Sequence, residues 1–575
     1  MVNTHCKMVL VGQTAYMPPC TMRKSLIMAG KPWREVNAIY QIYPRSFKDS
    51  NGDGVGDLRG VIEKLDYING FKDSLGIDAI WFSPIFPSPM ADMGYDVANY
   101  CDIDPLFGTL DDFKKLIEKA HERGINVMVD FVPNHTSNQH PWFLESRSNK
   151  LSDKKDYYVW RDAKPDGGLP NNWLSIFGGP AWEWDEERGQ YYLHTFLKEQ
   201  PDLNWDNQAV REEMKRVIRF WMDLGVDGIR ADAVRWISKD PDFRDDPVNK
   251  LWRNTEAPNQ FDSLTHKHSR FGKNLFKYLR ELTDVMAEYD NRIVIFEDYP
   301  DANYSTKEQY LGFYNVNPKI GMPFNFQGLW TEFYADAFRT FVTEFQGMLD
   351  PAVHRPVYCF SNHDQWRIVT RMGGEEQARL IALMQLTLPG LPTVYYGDEL
   401  GMPNTPIKPE EVQDLSVFSG GDLSAGRDPE RTPMQWQKGR YAGFSDAKPW
   451  LPLGKSVRKH NVEAQLHEAD SFLSLYRRLL RLRAKHDILR NGTYEAFGEL
   501  EADVFTYSRW LGDQHVYVAL NFGGEASRVK LPHRGRVLCC THPVDYPDID
   551  ADGEVTLRPY EGVLVECSEH PLSDK

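Results

Sequence analysis

Acidic side chains in this 575-residue chain recur where short apolar runs end. Asp130 lies near the end of Asn126-Val-Met-Val-Asp-Phe131. Arg230 and Asp232 fall in Gly-Val-Asp-Gly-Ile-Arg-Ala-Asp-Ala-Val, Glu297 follows Ile-Val-Ile-Phe, and His363-Asp364 follow Phe-Ser-Asn. Two carboxylates and an arginine are what glycosidic-bond cleavage requires: one attacks the anomeric carbon and the other donates a proton to the leaving oxygen. Arg230 and Asp232 are two residues apart, so on an extended chain they share a side. The guanidinium would then keep Asp232 ionised as a nucleophile. The apolar run before Glu297 suits a proton-holding acid. Its neighbour Asp298 should point to the other side of the strand. Converging carboxylates repel unless a function or a metal holds them. The residues alone leave a glycosidase and a metal-dependent hydrolase both open.

Something must bring these ends to one place. From Trp33 onward, β-branched or aromatic runs alternate with amphipathic stretches. Strands are expected at 39–43, 77–82, 126–131, 227–231, 292–297, 321–325, 356–361 and 393–396. Helices are expected at 58–68, 110–122, 210–224, 273–288, 329–345, 375–386 and 471–485. This alternation means βαβ units and a parallel sheet. Eight such units predict an α/β fold, a (β/α)8 TIM barrel, whose chemistry sits at the C-terminal ends of the strands. Between 132 and 204 the beat breaks into a Trp-, Gly-, Pro- and Asn-rich stretch too long for a plain loop. It reads as a small domain inserted after strand 3. The catalytic barrel is thus assigned to 33–131 and 205–488, the inserted domain to 132–204. Residues 489–575 alternate apolar and polar and predict a C-terminal antiparallel β-domain, a β-sandwich. Residues 1–32 read as a loose N-terminal arm without an apolar run of leader length.

Composition narrows the partners. Lys and Arg total 67 against 83 Asp and Glu, for a net charge of −16, the wrong sign for a phosphate-backbone binder. With 41% apolar and 13% aromatic residues, the chain is too apolar for disorder. No stretch approaches the roughly 20 apolar residues of a membrane span. The 16 Trp and 27 Tyr suit flat ligands such as sugar rings. Seven cysteines, odd in number and irregularly spaced, argue against a disulfide framework and for a reducing, cytoplasmic setting.

Five motifs in order then become specific: Asp-Phe-Val-Pro-Asn-His (130–135), Gln-Pro-Asp-Leu-Asn (200–204), Gly-Ile-Arg-Ala-Asp-Ala-Val (228–234), Phe-Glu (296–297) and Ser-Asn-His-Asp (361–364). Through them the chain resembles the α-amylase clan, glycoside hydrolase family 13, in its oligo-1,6-glucosidase and α-glucosidase branch. The resemblance implies Asp232 as nucleophile, Glu297 as acid/base and Asp364 as the third carboxylate, holding sugar hydroxyls. It implies that His135 and His363 bind hydroxyls, that Arg230 orients the nucleophile, and that Gln200 lies in the segment that marks this branch. Phe177 and Phe196 resemble the aromatics walling the first glucose site. Asp92 and Tyr95 resemble the closed end of an exo-acting pocket, with Arg431 as the partner of Asp92. Asp130 is expected to be structural. Ala233, after the nucleophile, resembles the α-1,4-preferring members, whereas Val there resembles the α-1,6-preferring ones. The segment Phe-Glu-Asp-Tyr-Pro (296–300) departs from many relatives around the leaving-group site.

Asp49-Ser-Asn-Gly-Asp-Gly-Val-Gly-Asp57 sets oxygen donors at alternate residues, the chemistry of a hard cation. Position twelve is Gly60 rather than Glu, so this is not an EF-hand. The resemblance implies a structural Ca2+ or Mg2+ held by Asp49, Asn51, Asp53, the Val55 carbonyl and Asp57, and no organic cofactor. The expected partner is a small oligosaccharide, with no nucleic acid and no membrane, for a monomer or homodimer. The function implied is an exo-acting retaining α-glucosidase. The alternative is a transglucosylase or isomerase of the same family. Sucrose-isomerising members carry an arginine-rich loop after the seventh strand, and Gln365-Trp-Arg367-Ile-Val-Thr-Arg371 is an incomplete likeness.

Overall fold

The computed structural model describes residues 30–567 apart from 149, 255, 258, 300–306, 421–425, 499–502 and 544–552. The expected N-terminal arm lies outside the described residues up to residue 29. Eight parallel strands form one sheet: β1 (Ile39–Ile42), β2 (Ala79–Phe82), β3 (Asn126–Phe131), β4 (Gly228–Ala231), β5 (Ile293–Phe296), β6 (Gly321–Asn325), β7 (Val357–Tyr358) and β8 (Thr393–Tyr395). They neighbour one another in chain order, with β8 beside β1. A parallel bridge between Cys359, just past β7, and Thr393 of β8 brings the two edges together. The result is a TIM barrel. Strands covered on both faces need apolar runs rather than alternation. Ala79-Ile-Trp-Phe82 and Ile293-Val-Ile-Phe296 are buried at every position.

A helix follows each strand: α1 (Leu58–Ile68), α2 (Leu110–His121), α3 (Gln208–Asp223), α4 (Leu275–Met286), α5 (Lys307–Val316), α6 (Ala335–Met348), α7 (Glu375–Thr387) and α8 (Phe472–Lys485). Their starts are written in the sequence. Asp57 caps α1 by accepting from the Gly60 N–H, and Thr109 with Asp112 forms a capping box on α2, each cap worth about 1 kcal/mol. On α3 the buried Val210, Met214, Val217, Ile218 and Trp221 make one stripe, the spacing of a helix lying on a sheet. Helix α5 is absent from the sequence-based expectation. Gly312 interrupts its apolar pattern because Phe276 of α4 packs there, and a Cβ would stand 2.3 Å from the ring.

Between β3 and α3 the chain forms a helix, Pro141–Ser148, and a three-stranded antiparallel sheet of Trp160–Arg161, Gln190–Leu193 and Trp182–Asp185. A small core of Val159, Trp173, Ala181, Trp182 and Leu193 holds it. The bridge His135–Asp202 ties both ends of this segment together beside the barrel mouth. After α8 come a five-stranded antiparallel sheet and a two-stranded one. Val563 and Tyr517 of the first share a core with Val529 and Val555 of the second, so the two sheets pack face to face. Arg509 of this C-terminal part is buried and donates to the carbonyls of Thr387, Ile488, Leu489 and Gly492, fastening it to the barrel. Among the described residues, no helix is long and apolar enough to cross a membrane.

Candidate active site

Register places the first charged pair. Asp130 on β3 and Arg230 on β4 are direct cross-strand partners. Arg230 is buried and takes up most of the charge around it. Its Nη1 donates to Asp130 (2.8 Å) and to Asp232 (2.6 Å), and its Nη2 donates to Glu297 (2.5 Å). Asp298 turns the other way, onto Arg235, as strand alternation requires. Asp130 also accepts from the Tyr95 hydroxyl (2.9 Å). Burial raises its pKa to about 6, against the pull of Arg230. Asp130 thus acts on the site through Arg230 and Tyr95.

Glu297 accepts a second bond on its other oxygen, from the Ala233 N–H at 2.6 Å. Ala233 reaches that position in the left-handed region, at φ 49° and ψ 31°, which costs a non-glycine residue about 1 kcal/mol. Asp232 is pushed well above the usual carboxylate range, first by burial and then by the neighbouring Glu297 charge; Arg230 opposes both without prevailing, which corrects the expectation that its guanidinium keeps Asp232 ionised. Asp232 and Glu297 thus share one guanidinium in a dry site, where like charges repel.

A third carboxylate completes the mouth. Asp364 accepts from Arg431 Nη2 (2.9 Å) and Arg427 Nη1 (3.3 Å). Burial works to raise it, but its charged surroundings win and hold it below the ordinary range. His363 is lowered to about 3 by burial and is therefore neutral. Its ring bonds Gln41 at 2.8 Å and Tyr95 at 2.7 Å, and it stacks on Tyr95 with centroids 5.4 Å apart. His135 is likewise lowered to about 4 by burial. It meets Gln200 Nε2 at 3.0 Å, and Gln200 also donates to Asp92 (3.0 Å).

A cavity of about 740 Å³ opens above these groups, a size ordinary for a small-ligand site. Asp92, Tyr95, His135, Phe177, Phe196, Asp232, Glu297 and Asp364 all line it. Phe177 and Phe196 lie side by side, 5.9 Å between centroids. Gln200, Arg230, His363 and Arg431 stand behind, each bonded to a lining residue.

The expected pairing of Arg431 with Asp92 is corrected by the structure. Arg431 donates to Asp364 and to the His363 carbonyl. The partner of Asp92 is Arg427, at 2.7 Å. The two arginines flank a single turn, Asp428–Glu430, so residue type and motif fit both and only the fold separates them. Sequence reading also passed over Trp236, Phe261, Tyr299 and Trp330, aromatic residues that line the cavity. Tyr299 lies in the segment already marked as a departure.

In the 49–57 loop the side chains bond their own backbone. Asp49 accepts from the N–H groups of Asn51, Gly52 and Gly54 and from Ser445. Asp53 accepts from Val55 N–H, and Asp57 from Ser50 and Gly60. Among the described residues no three Asp, Glu, His or Cys side chains gather as a metal group. The donors the loop offers are all oxygens, which suit a hard cation.

Comparison with known proteins decides the lineage. The model of the α-amylase catalytic domain matches residues 41–492. The chain belongs to the α-amylase family. It is a glycoside hydrolase of family 13 whose relatives are oligo-1,6-glucosidases and α-glucosidases. An oligo-1,6-glucosidase of Bacillus cereus is 36% identical, the match covering 93% of this chain and 99% of the relative. An α-glucosidase of Apis mellifera is 37% identical over 89% and 90%. Among solved structures, the α-glucosyl transfer enzyme XgtA superposes with a TM-score of 0.86 at 37% identity, covering 93% of this chain and 99% of that one. A trehalulose synthase MutB variant gives 0.83 at 33%, covering 93% and 100%.

Proposed function

We propose that this family 13 enzyme is an exo-acting retaining α-glucosidase that removes terminal α-linked glucose, with preference for α-1,4 bonds, from maltose and short oligosaccharides. The observation that carries the reading is Arg230 bridging Asp232 and Glu297 in a cavity that the paired Asp92 and Arg427 also line. Adjacent nitrogens of one guanidinium suit the close carboxyl spacing, about 5 Å, of retaining enzymes. In the first step an Asp232 oxygen attacks the anomeric carbon, the bond to the leaving oxygen breaks, and the Glu297 proton passes to that oxygen. In the second, water attacks the same carbon, its proton returns to Glu297, and Asp232 leaves. Asp364, kept ionised by two arginines, holds sugar hydroxyls while positive charge develops. Neutral His135 and His363 offer hydrogen bonds without adding charge.

Ala233 supports the α-1,4 preference, because the residue after the nucleophile borders the leaving sugar. The isomerase alternative loses its main likeness. Arg367 donates to the Tyr396 carbonyl and Arg371 to the Gly328 carbonyl, and neither lines the cavity. Gln365 alone of that segment lines the cavity. A Ca2+ or Mg2+ in the 49–57 loop belongs to the same reading, as a structural ion supported by the oxygen-only donor set. So does a cytoplasmic location, supported by the cysteine pattern. Hydrolysis rates on maltose, isomaltose, sucrose and trehalose, with anomer analysis of the glucose released, test the function. Release of β-glucose, or unchanged turnover in Asp232→Ala, overturns it.

A further inference from the structure

Arg427 carries more than the Asp92 contact. Its Nε and Nη2 donate to the two oxygens of Asp414, both at 2.8 Å, a bidentate pair of the strong kind. The same Nη2 reaches Asp92 (2.7 Å) and Nη1 reaches Asp364 (3.3 Å). The guanidinium also lies over the Phe177 ring, 5.2 Å from its centroid. One cation therefore touches three carboxylates and one aromatic wall. Asp414 is buried and is knotted into its own loop. It accepts from the Arg427 N–H and from the Ser416 N–H and hydroxyl, while its own N–H donates to Asp428. Ser416 and Val417, just beyond it, face the cavity.

The geometry of a planar fork gives this arrangement a consequence. Held along its Nε–Nη2 edge by Asp414, Arg427 can offer Asp92 and Asp364 only single, end-on contacts. Each of those carboxylates keeps oxygen lone pairs for a ligand. Freed from Asp414, the same fork would close on Asp92 or Asp364 bidentately, satisfying one at the expense of the other. We propose that Asp414 is a positioning residue for terminal-glucose recognition, dividing Arg427 between Asp92 and Asp364 without touching the sugar. The proposal rests on the glucosidase reading and adds a residue to it.

The test is a double-mutant cycle with Asp414→Asn and Arg427→Gln, read as kcat and KM on maltose and as competitive inhibition by glucose. Asp414→Asn alone should lower kcat/KM about 10- to 100-fold, the range for a lost charged hydrogen bond. The loss should fall mainly in KM, with a matching rise in the glucose inhibition constant. In the Arg427→Gln background the same change should cost less than about 2-fold, because coupled residues are not additive. Equal losses in both backgrounds, or a loss confined to kcat with unchanged glucose inhibition, overturn the proposal. Asp414→Glu, which keeps the charge, is run through the same cycle and decides the matter if Asp414→Asn does not fold by circular dichroism. A wild-type enzyme that neither cleaves maltose nor is inhibited by glucose would refute the glucosidase reading itself. Normal wild-type cleavage with an additive cycle would refute only the role of Asp414.

Discussion

Replacing Glu297 by Gln separates the two duties the proposed function gives it, donating a proton and burdening Asp232 with a second charge. The pair is bridged by Arg230 at 2.6 and 2.5 Å, and the Glu297 charge acts to raise Asp232. At about 5 Å, the spacing of retaining enzymes, two like charges repel by about 3 kcal/mol at an effective dielectric near 20. That equals about 2 pH units. The wild-type profile of kcat/KM should therefore be a bell whose limbs lie at least about 2 units apart. In Glu297→Gln one carboxyl of that pair is left. The basic limb should vanish, while an acid limb from Asp232 persists. On maltose, whose leaving group needs the proton, kcat/KM should fall about 10²- to 10⁴-fold. On α-glucosyl fluoride, whose leaving group does not, it should fall less than about 10-fold. Steady-state rates on both substrates between pH 4 and 9 make the comparison, and kcat/KM is the quantity to use because it excludes the second step. Equal losses on the two substrates, or a basic limb that survives in the variant, would refute the assignment of Glu297 as the acid.

Burial raises Asp130 to about 6, Asp398 to about 7 and Glu430 to about 8. Unfolded carboxyls ionise near 4, so between there and these values the folded chain holds more protons and stability falls as pH rises. Buried His135 and His363, held neutral, act the other way until the unfolded histidines have lost their protons, so melting temperature should decline from about pH 7 to pH 8.5, and Glu430→Gln should flatten that decline. Ala233 sits at φ 49°, where a β-branched residue is strained. Ala233→Val should cost about 1–2 kcal/mol by denaturant unfolding and lower the ratio of maltose to isomaltose hydrolysis, and an unchanged ratio would remove this residue from linkage choice. Asp57 both caps α1 and belongs to the candidate cation loop. Asp57→Ala should cost about 1–2 kcal/mol through the cap alone. If the loop holds an ion, elemental analysis should find one Ca2+ or Mg2+ per chain in the wild type and none in the variant, with a chelator lowering the melting temperature of the wild type only.

What could be read in advance follows the barrel. On a strand the register is rigid and the period is two, so Arg230 and Asp232 had to share a side and Asp298 had to leave it. Local chain geometry alone settled those positions. The same logic reached α1 and α2 through their caps, and it failed at α5, where Gly312 breaks the helical pattern for the sake of a tertiary neighbour. Beyond the strand ends the period is lost. Arg427 and Arg431 bracket three residues of tight turn, and either could have met Asp92. The choice depends on Asp414 and Asp428, which fold the loop back on itself. No short motif encodes such a contact, because it is made between segments that become neighbours only after the barrel has formed. The lining aromatics Trp236, Phe261 and Trp330 come from the loops after β4 and β6 and meet in the same way. The proposed reaction thus falls to residues on rigid strand ends, and the proposed choice of sugar to residues on loops. An exchange of loops between relatives should move substrate preference while Arg230, Asp232 and Glu297 keep their contacts.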